Sequence, residues 1–198
     1  MKNLLMILLV AFSVSGELMA QKSRNTESKS SVDAVRADRQ VAFAASIGFK
    51  SLSGTGGMIS YYATPHLAID VGAGLGFQIF KTGARARYLL SKKRLTPYIG
   101  AGINYSPIAL NDVQVDNING NETYVVDINP STYGQFTLGL EYMGYGGFLF
   151  GIDLGYSALL NKDNIINEGV PFDSDTQLAT DILYGNSINF SISMGYAF

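Results

Sequence analysis

The chain has 198 residues, 47% of them hydrophobic and 15% charged, with a formal net charge of −2. One domain is the expectation at this length, and the near-neutral balance leaves no electrostatic footprint for nucleic acid. Cysteine is absent, which excludes a disulfide framework and a thiolate metal site, while 22 glycines, 12 tyrosines and 11 phenylalanines favour strands and tight turns over helices.

Residues 1–20 carry the three-part pattern of a secretory signal peptide. Lys2 gives the positive start, Leu4 to Val14 the apolar stretch, and small residues lead to cleavage at Ala20 before Gln21, with Gly16 before Glu17 as the alternative. The apolar run is too short for a membrane-spanning helix. Residues 21–40 are rich in Ser, Lys, Arg and Asp and read as a flexible periplasmic tether. A helix from Ser31 to Arg39 would have little to bury.

From Val41 onward no run of about twenty apolar residues exists, so membrane helices are excluded. The signal is instead a period of two. Val41, Phe43, Ala45, Ile47 and Phe49 alternate with small residues. A weaker run covers Gly57–Thr64. Leu67, Ile69, Val71, Ala73, Leu75 and Phe77 alternate with Ala68, Asp70, Gly72, Gly74 and Gly76. A second weak run covers Ala84–Leu90. Ile99, Ala101, Ile103 and Tyr105 then alternate with Tyr98, Gly100, Gly102 and Asn104, and Phe136, Leu138, Leu140 and Tyr142 with Gln135, Thr137, Gly139 and Glu141. Phe148 to Tyr156 and Ile188 to Phe198 repeat the pattern. Eight strands are predicted within residues 41–198.

Which face is bulky decides between barrel types. A soluble barrel fills its interior with large apolar side chains, whereas here the second face is mostly Gly, Ala, Ser and Asn with a few charges. Such a face lines a narrow polar lumen, and the bulky face meets lipid. Strand edges are not tolerated in hydrocarbon, so the sheet must close. The predicted fold is all-β: a transmembrane, antiparallel, up-and-down β-barrel of about eight strands in the bacterial outer membrane, with outer-membrane lipid around it.

The connections agree. The second, fourth and sixth (Thr64 to His66, Ser91 to Leu95, Met143 to Gly147) are short, and the fifth and seventh (106–131 and 159–185) are long, the arrangement of periplasmic turns and external loops. The first and third, near Ser51–Gly56 and Gln78–Lys81, are expected outside yet are short. Asn119-Gly120, between Asp112–Val115 and Thr123–Asp127, reads as a type I′ turn joining two strands that continue above the membrane.

Tyr88-Leu89-Leu90 followed by Pro97-Tyr98-Ile99-Gly100-Ala101-Gly102-Ile103-Asn104-Tyr105 resembles the fourth and fifth strands of the outer-membrane protein W family. Pro65 to Asp70 and Gly195-Tyr196-Ala197-Phe198 fit that family and equally the opacity-type and outer-membrane protein X barrels. The chain departs from the family in lacking its tryptophans and in its short first external loop. The resemblance implies passage of small hydrophobic compounds. It also implies that Tyr196 and Phe198 form the aromatic signal read by the barrel-insertion machinery.

No catalytic constellation is evident. The single histidine, His66, falls in a predicted periplasmic turn, away from the serine or carboxylate partners an activated nucleophile requires. No enzyme, cofactor or metal site is expected. For the acidic loops (Asp112, Asp116, Glu122, Asp127; Asp163, Glu168, Asp173, Asp175, Asp181) the alternatives are calcium binding and a solvated outer surface, and the run Asp116 to Glu122 lacks the regular spacing of a calcium loop, which favours the solvated surface. The inward charges say more. Lys50, Asp70, Arg85, Arg87, Glu141 and Asp153 face the lumen on this register, three basic and three acidic. They form either a pore constriction or a static ion-pair plug, and the narrow interior of an eight-stranded barrel favours the plug. Two functions remain open: a narrow channel or binding site for small hydrophobic compounds, and a non-transporting, adhesin-like barrel that presents loops 106–131 and 159–185 to an external ligand.

Overall fold

The computed structural model describes residues 35–76, 79–116, 123–161, 164–167 and 174–198. The signal peptide, the tether as far as residue 34 and the Asn119-Gly120 turn lie outside the described residues. Eight strands form a closed antiparallel barrel: β1 (Val41–Phe49), β2 (Thr55–Thr64), β3 (Leu67–Gly76), β4 (Ile79–Leu89), β5 (Leu95–Ser106), β8 (Ser131–Met143), β9 (Phe148–Leu159) and β11 (Ser187–Ala197). Each pairs with the next of the eight, and β11 closes the ring on β1 through pairs such as Ile47↔Ile192. The all-β, eight-stranded fold class is therefore as the alternation dictates.

Alternation also sets the faces. Ile47, Leu75, Leu154 and Ile188 are each about 60% exposed on the outer wall, while Ala44, Ser60, Asp70, Asn104, Thr137 and Asn189 are buried inside. No described helix is long and apolar enough to cross a membrane, which leaves strand crossing untouched.

Two short connections differ from expectation. Lys81, expected in the third connection, is an inward residue of β4, because Ile79–Lys81 pairs with Gly74–Gly76 of β3. The first connection is short because it turns into the barrel rather than outward. Ser51, Leu52 and Ser53 are buried, and Leu52 rests over Gly72 and Gly83, where side chains are missing. Positive φ at Lys50 (46°) and Gly54 (61°) brackets this inward bend.

The two long connections also fold together. β6 (Leu110–Asp116) and β7 (Thr123–Ile128) pair with each other, and β10 (Ile165–Asn167), from the other connection, adds to β7. This three-stranded sheet has its own small core of Val126 and Ile128, packed by Leu110, Val113, Ile165 and Tyr184. A helix, α2 (Ser174–Tyr184), follows it. A single helical turn, α1 (Val35–Asp38), precedes β1 at the opposite, short-turn end.

Candidate functional site

The inner face of β3 and β4 carries the strongest charges. Asp70 stands opposite Arg85 in register and Ala68 opposite Arg87. Across the next seam, Arg85 and Arg87 stand opposite Gly102 and Gly100 of β5. Those glycines make room for long side chains to lie across the lumen. A Cβ at Gly100 would come within 3.2 Å of Arg85 Cδ and 3.3 Å of Arg87 Cγ.

The resulting contacts form a ladder of alternating sign. Arg36 Nε lies 2.9 Å from Glu141 Oε1, and Arg87 Nη1 lies 2.5 Å from Glu141 Oε2. Arg87 Nη2 donates to Asp70 Oδ1 at 2.8 Å. Arg85 Nε donates to Asp70 Oδ2 at 3.0 Å, and its Nη1 to Asp153 Oδ2 at 3.0 Å. The order is Arg36, Glu141, Arg87, Asp70, Arg85, Asp153. All six side chains are buried, and three positive charges meet three negative ones. Such a set is tolerated out of water only when each charge is paired and its remaining hydrogen-bonding capacity is used.

Tyrosines supply part of that capacity. The Tyr62 hydroxyl donates to Glu141 Oε2 at 2.8 Å, and the Tyr98 hydroxyl to Asp153 Oδ2 at 2.9 Å. The Arg87 guanidinium also lies 4.9 Å from the Tyr98 ring centre, within cation–π range. Tyr98 fits because its partner across the seam is Gly139, where a Cβ would collide with the ring.

Of the six residues singled out from sequence, the structure thus brings together Asp70, Arg85, Arg87, Glu141 and Asp153. Lys50 stands apart, at the long-loop end. Its Nζ donates to Gly185 O and lies 5.1 Å from the Tyr133 ring centre. Burial lowers its pKa to about 8, against the opposing pull of Asp181.

Three residues of the ladder and its hydrogen bonds are not among the lumen residues singled out from sequence: Arg36, Tyr62 and Tyr98. Tyr98 carries a signal, being the one large side chain on an otherwise small inner face of β5. Arg36 carries none, since it lies in residues 21–40, the stretch read as a tether. The end of that stretch is held in place. Val35 and Arg36 are buried, and Arg36 also donates to Lys93 O at 2.6 Å and Arg94 O at 3.2 Å. Arg39 donates to Ala197 O and Tyr145 O at 2.7 and 2.9 Å. A helix turn here does bury something, because it seals an apolar ring that includes Tyr62, Leu89, Met143 and Leu149.

Outside, Tyr196 and Phe198 pack edge to face at 5.0 Å between ring centres, with Phe43 5.9 Å from Phe198. His66 is fixed rather than free: Nδ1 bonds Leu89 O at 2.7 Å and its ring stacks on Tyr88. Among the described residues no serine or carboxylate bonds its ring, and no group of three or more His, Asp or Glu is placed to hold a metal ion.

No protein-family model and no curated protein matches the chain. Among solved structures the chain is similar to the N-terminal β-barrel domain of Pseudomonas aeruginosa OprF, with 18% identity and a TM-score of 0.50 over 81% of this chain and 98% of that one. What this likeness carries is architecture: a closed, antiparallel barrel of eight strands.

Proposed function

We propose that this chain is an outer-membrane β-barrel protein, delivered by residues 1–20 as a signal peptide. Its lumen is closed, and it acts through what its long-loop end binds or presents. One observation carries the reading: the polarity of the molecule is inside-out. Large apolar side chains such as Ile47, Leu75 and Leu154 cover the outer wall, while the interior holds a buried, charge-balanced ladder. Water gives no reason for that distribution, and hydrocarbon does. The ladder, the inward 50–54 connection and the Arg36 turn fill different depths of a lumen only wide enough for side chains. Passage of small hydrophobic compounds, implied by the resemblance to outer-membrane protein W, would require the ladder to part. The outward rings of Tyr196 and Phe198 are what the insertion machinery would engage.

The test joins fractionation to electrophysiology. The protein should sediment with outer membranes, migrate faster on gels when unboiled, and give no single-channel currents in planar bilayers. Recovery as a soluble periplasmic monomer refutes the membrane reading. Steady single-channel currents refute the closed lumen alone.

A further inference from the structure

Beyond the ladder, at the long-loop mouth, lies a half-open cavity of about 440 Å³. Gly48, Gly54 and Gly76 are among its walls and bring no side chain to it. Its walls include two lysines, Lys50 and Lys81, which are 8% and 6% exposed. Leu183, Tyr133 and Tyr184 contribute apolar surface.

The charges here are unlike those of the ladder. Lys50 has one acceptor, Gly185 O, and feels Asp181. Lys81 faces the cavity with no hydrogen bond or ion pair among the described residues, and Lys50 repels it. An ammonium offers three donors, and a buried charge without a counter-charge is costly. Elsewhere in this lumen every arginine meets a carboxylate, so a lysine that no described residue answers, beside an open space, marks the place of an anion. Leu183 and the tyrosines add that the anion carries an apolar body, and the volume suits a small molecule.

We propose that the cavity binds a small amphipathic carboxylate, its oxyanion between Lys50 and Lys81 and its apolar body along Leu183 and the rings of Tyr133 and Tyr184. This site is independent of whether the barrel conducts.

The folded mature protein in zwitterionic nanodiscs is titrated calorimetrically with octanoate, with 1-octanol and inorganic phosphate as comparison ligands and empty nanodiscs as the blank. Octanoate should saturate a single site. Loss of one charged hydrogen bond in Lys81→Met should weaken it by about tenfold or more, while Lys81→Arg retains binding. Gly76→Leu fills the cavity without changing charge, since a Cβ there meets only the Lys81 side chain, at 3.6 Å, and should abolish binding. In the unmutated protein, NMR of ¹³C-methylated lysines should show the Lys81 resonance shifting with octanoate, a readout that needs no variant to fold. The proposal is overturned if octanoate shows no saturable binding. Equal binding of octanol (a plain apolar pocket) or of phosphate (an inorganic anion site) also overturns it, as do unchanged affinity in Lys81→Met and a static Lys81 resonance.

Discussion

The two ends of this barrel are built in different ways. At the short-turn end the chain crosses the lumen with its own charges. Arg36 enters from the N-terminal side and completes the pairing of Glu141, and an apolar ring beneath it is sealed by Val35. At the long-loop end the first connection turns inward, two long connections build a second small sheet, and a cavity with two lysines is left between them. One end pairs its charges with one another, and the other holds two lysines that form no ion pair among the described residues. The difference separates parts of a lumen that hold a structure together from parts that are left to meet something else.

Breaking the paired region should have the largest effect. Arg87→Met leaves Asp70 and Glu141 facing each other's charge without their shared guanidinium. Removing one partner of a buried pair costs about 3–5 kcal/mol, so the urea midpoint, followed by circular dichroism, should fall sharply. Adding Glu141→Gln should cost less than the sum of the two single changes. Strict additivity would mean that the ladder is not one coupled unit.

The long-loop cap should fail separately. Ile128→Ala in its core should cost about 2–5 kcal/mol locally, seen as faster proteolysis within the two long connections while heat-dependent gel mobility of the barrel is unchanged. Loss of the barrel in this variant would show that the two regions do not unfold independently.

Arg36→Ala tests the seal at the other end. It removes a charged hydrogen bond worth about 1.5–3 kcal/mol, with faster amide exchange in β2 and β8 near Tyr62 and Glu141. Unchanged exchange there would make Arg36 a bystander.

The smallest effect is on pH. Burial lowers the Lys50 pKa to about 8 from its ordinary 10.5. Between those values the unfolded chain binds more protons than the folded one, so stability rises with pH across that window. The rise should vanish in Lys50→Met, measured as the slope of thermal midpoint against pH.

Much of the barrel is legible in the residues, because the period of two is strict wherever one face meets a uniform environment. β1 and β11 follow from counting alone. β4 is clear only from Ala84, since Ile79 to Gly83 lacks a consistent bulky face, and its first residues are settled by pairing with β3. The cap is less legible. Val125 and Val126 flag a strand, but β10 is three residues long and is stabilised by a partner more than thirty residues away. Within the ladder, strand residues can be placed by parity, whereas Arg36 reaches Glu141 across 105 residues from a segment with no periodicity. Tertiary contact places it there, and local pattern is silent.

The strand that closes the ring has a further consequence. β1 carries the Arg36 turn at its start and the inward 50–54 bend at its end, and its outer partner is β11, with Ala42 set against Ala197. That seam joins the most distant parts of the barrel, the kind of contact that forms late because loop closure must precede it. Both stoppers hang from the same strand, so the step that zips the ring is also the step that seats them. A sheet in which β1 has not met β11 therefore also lacks the strand from which both stoppers hang.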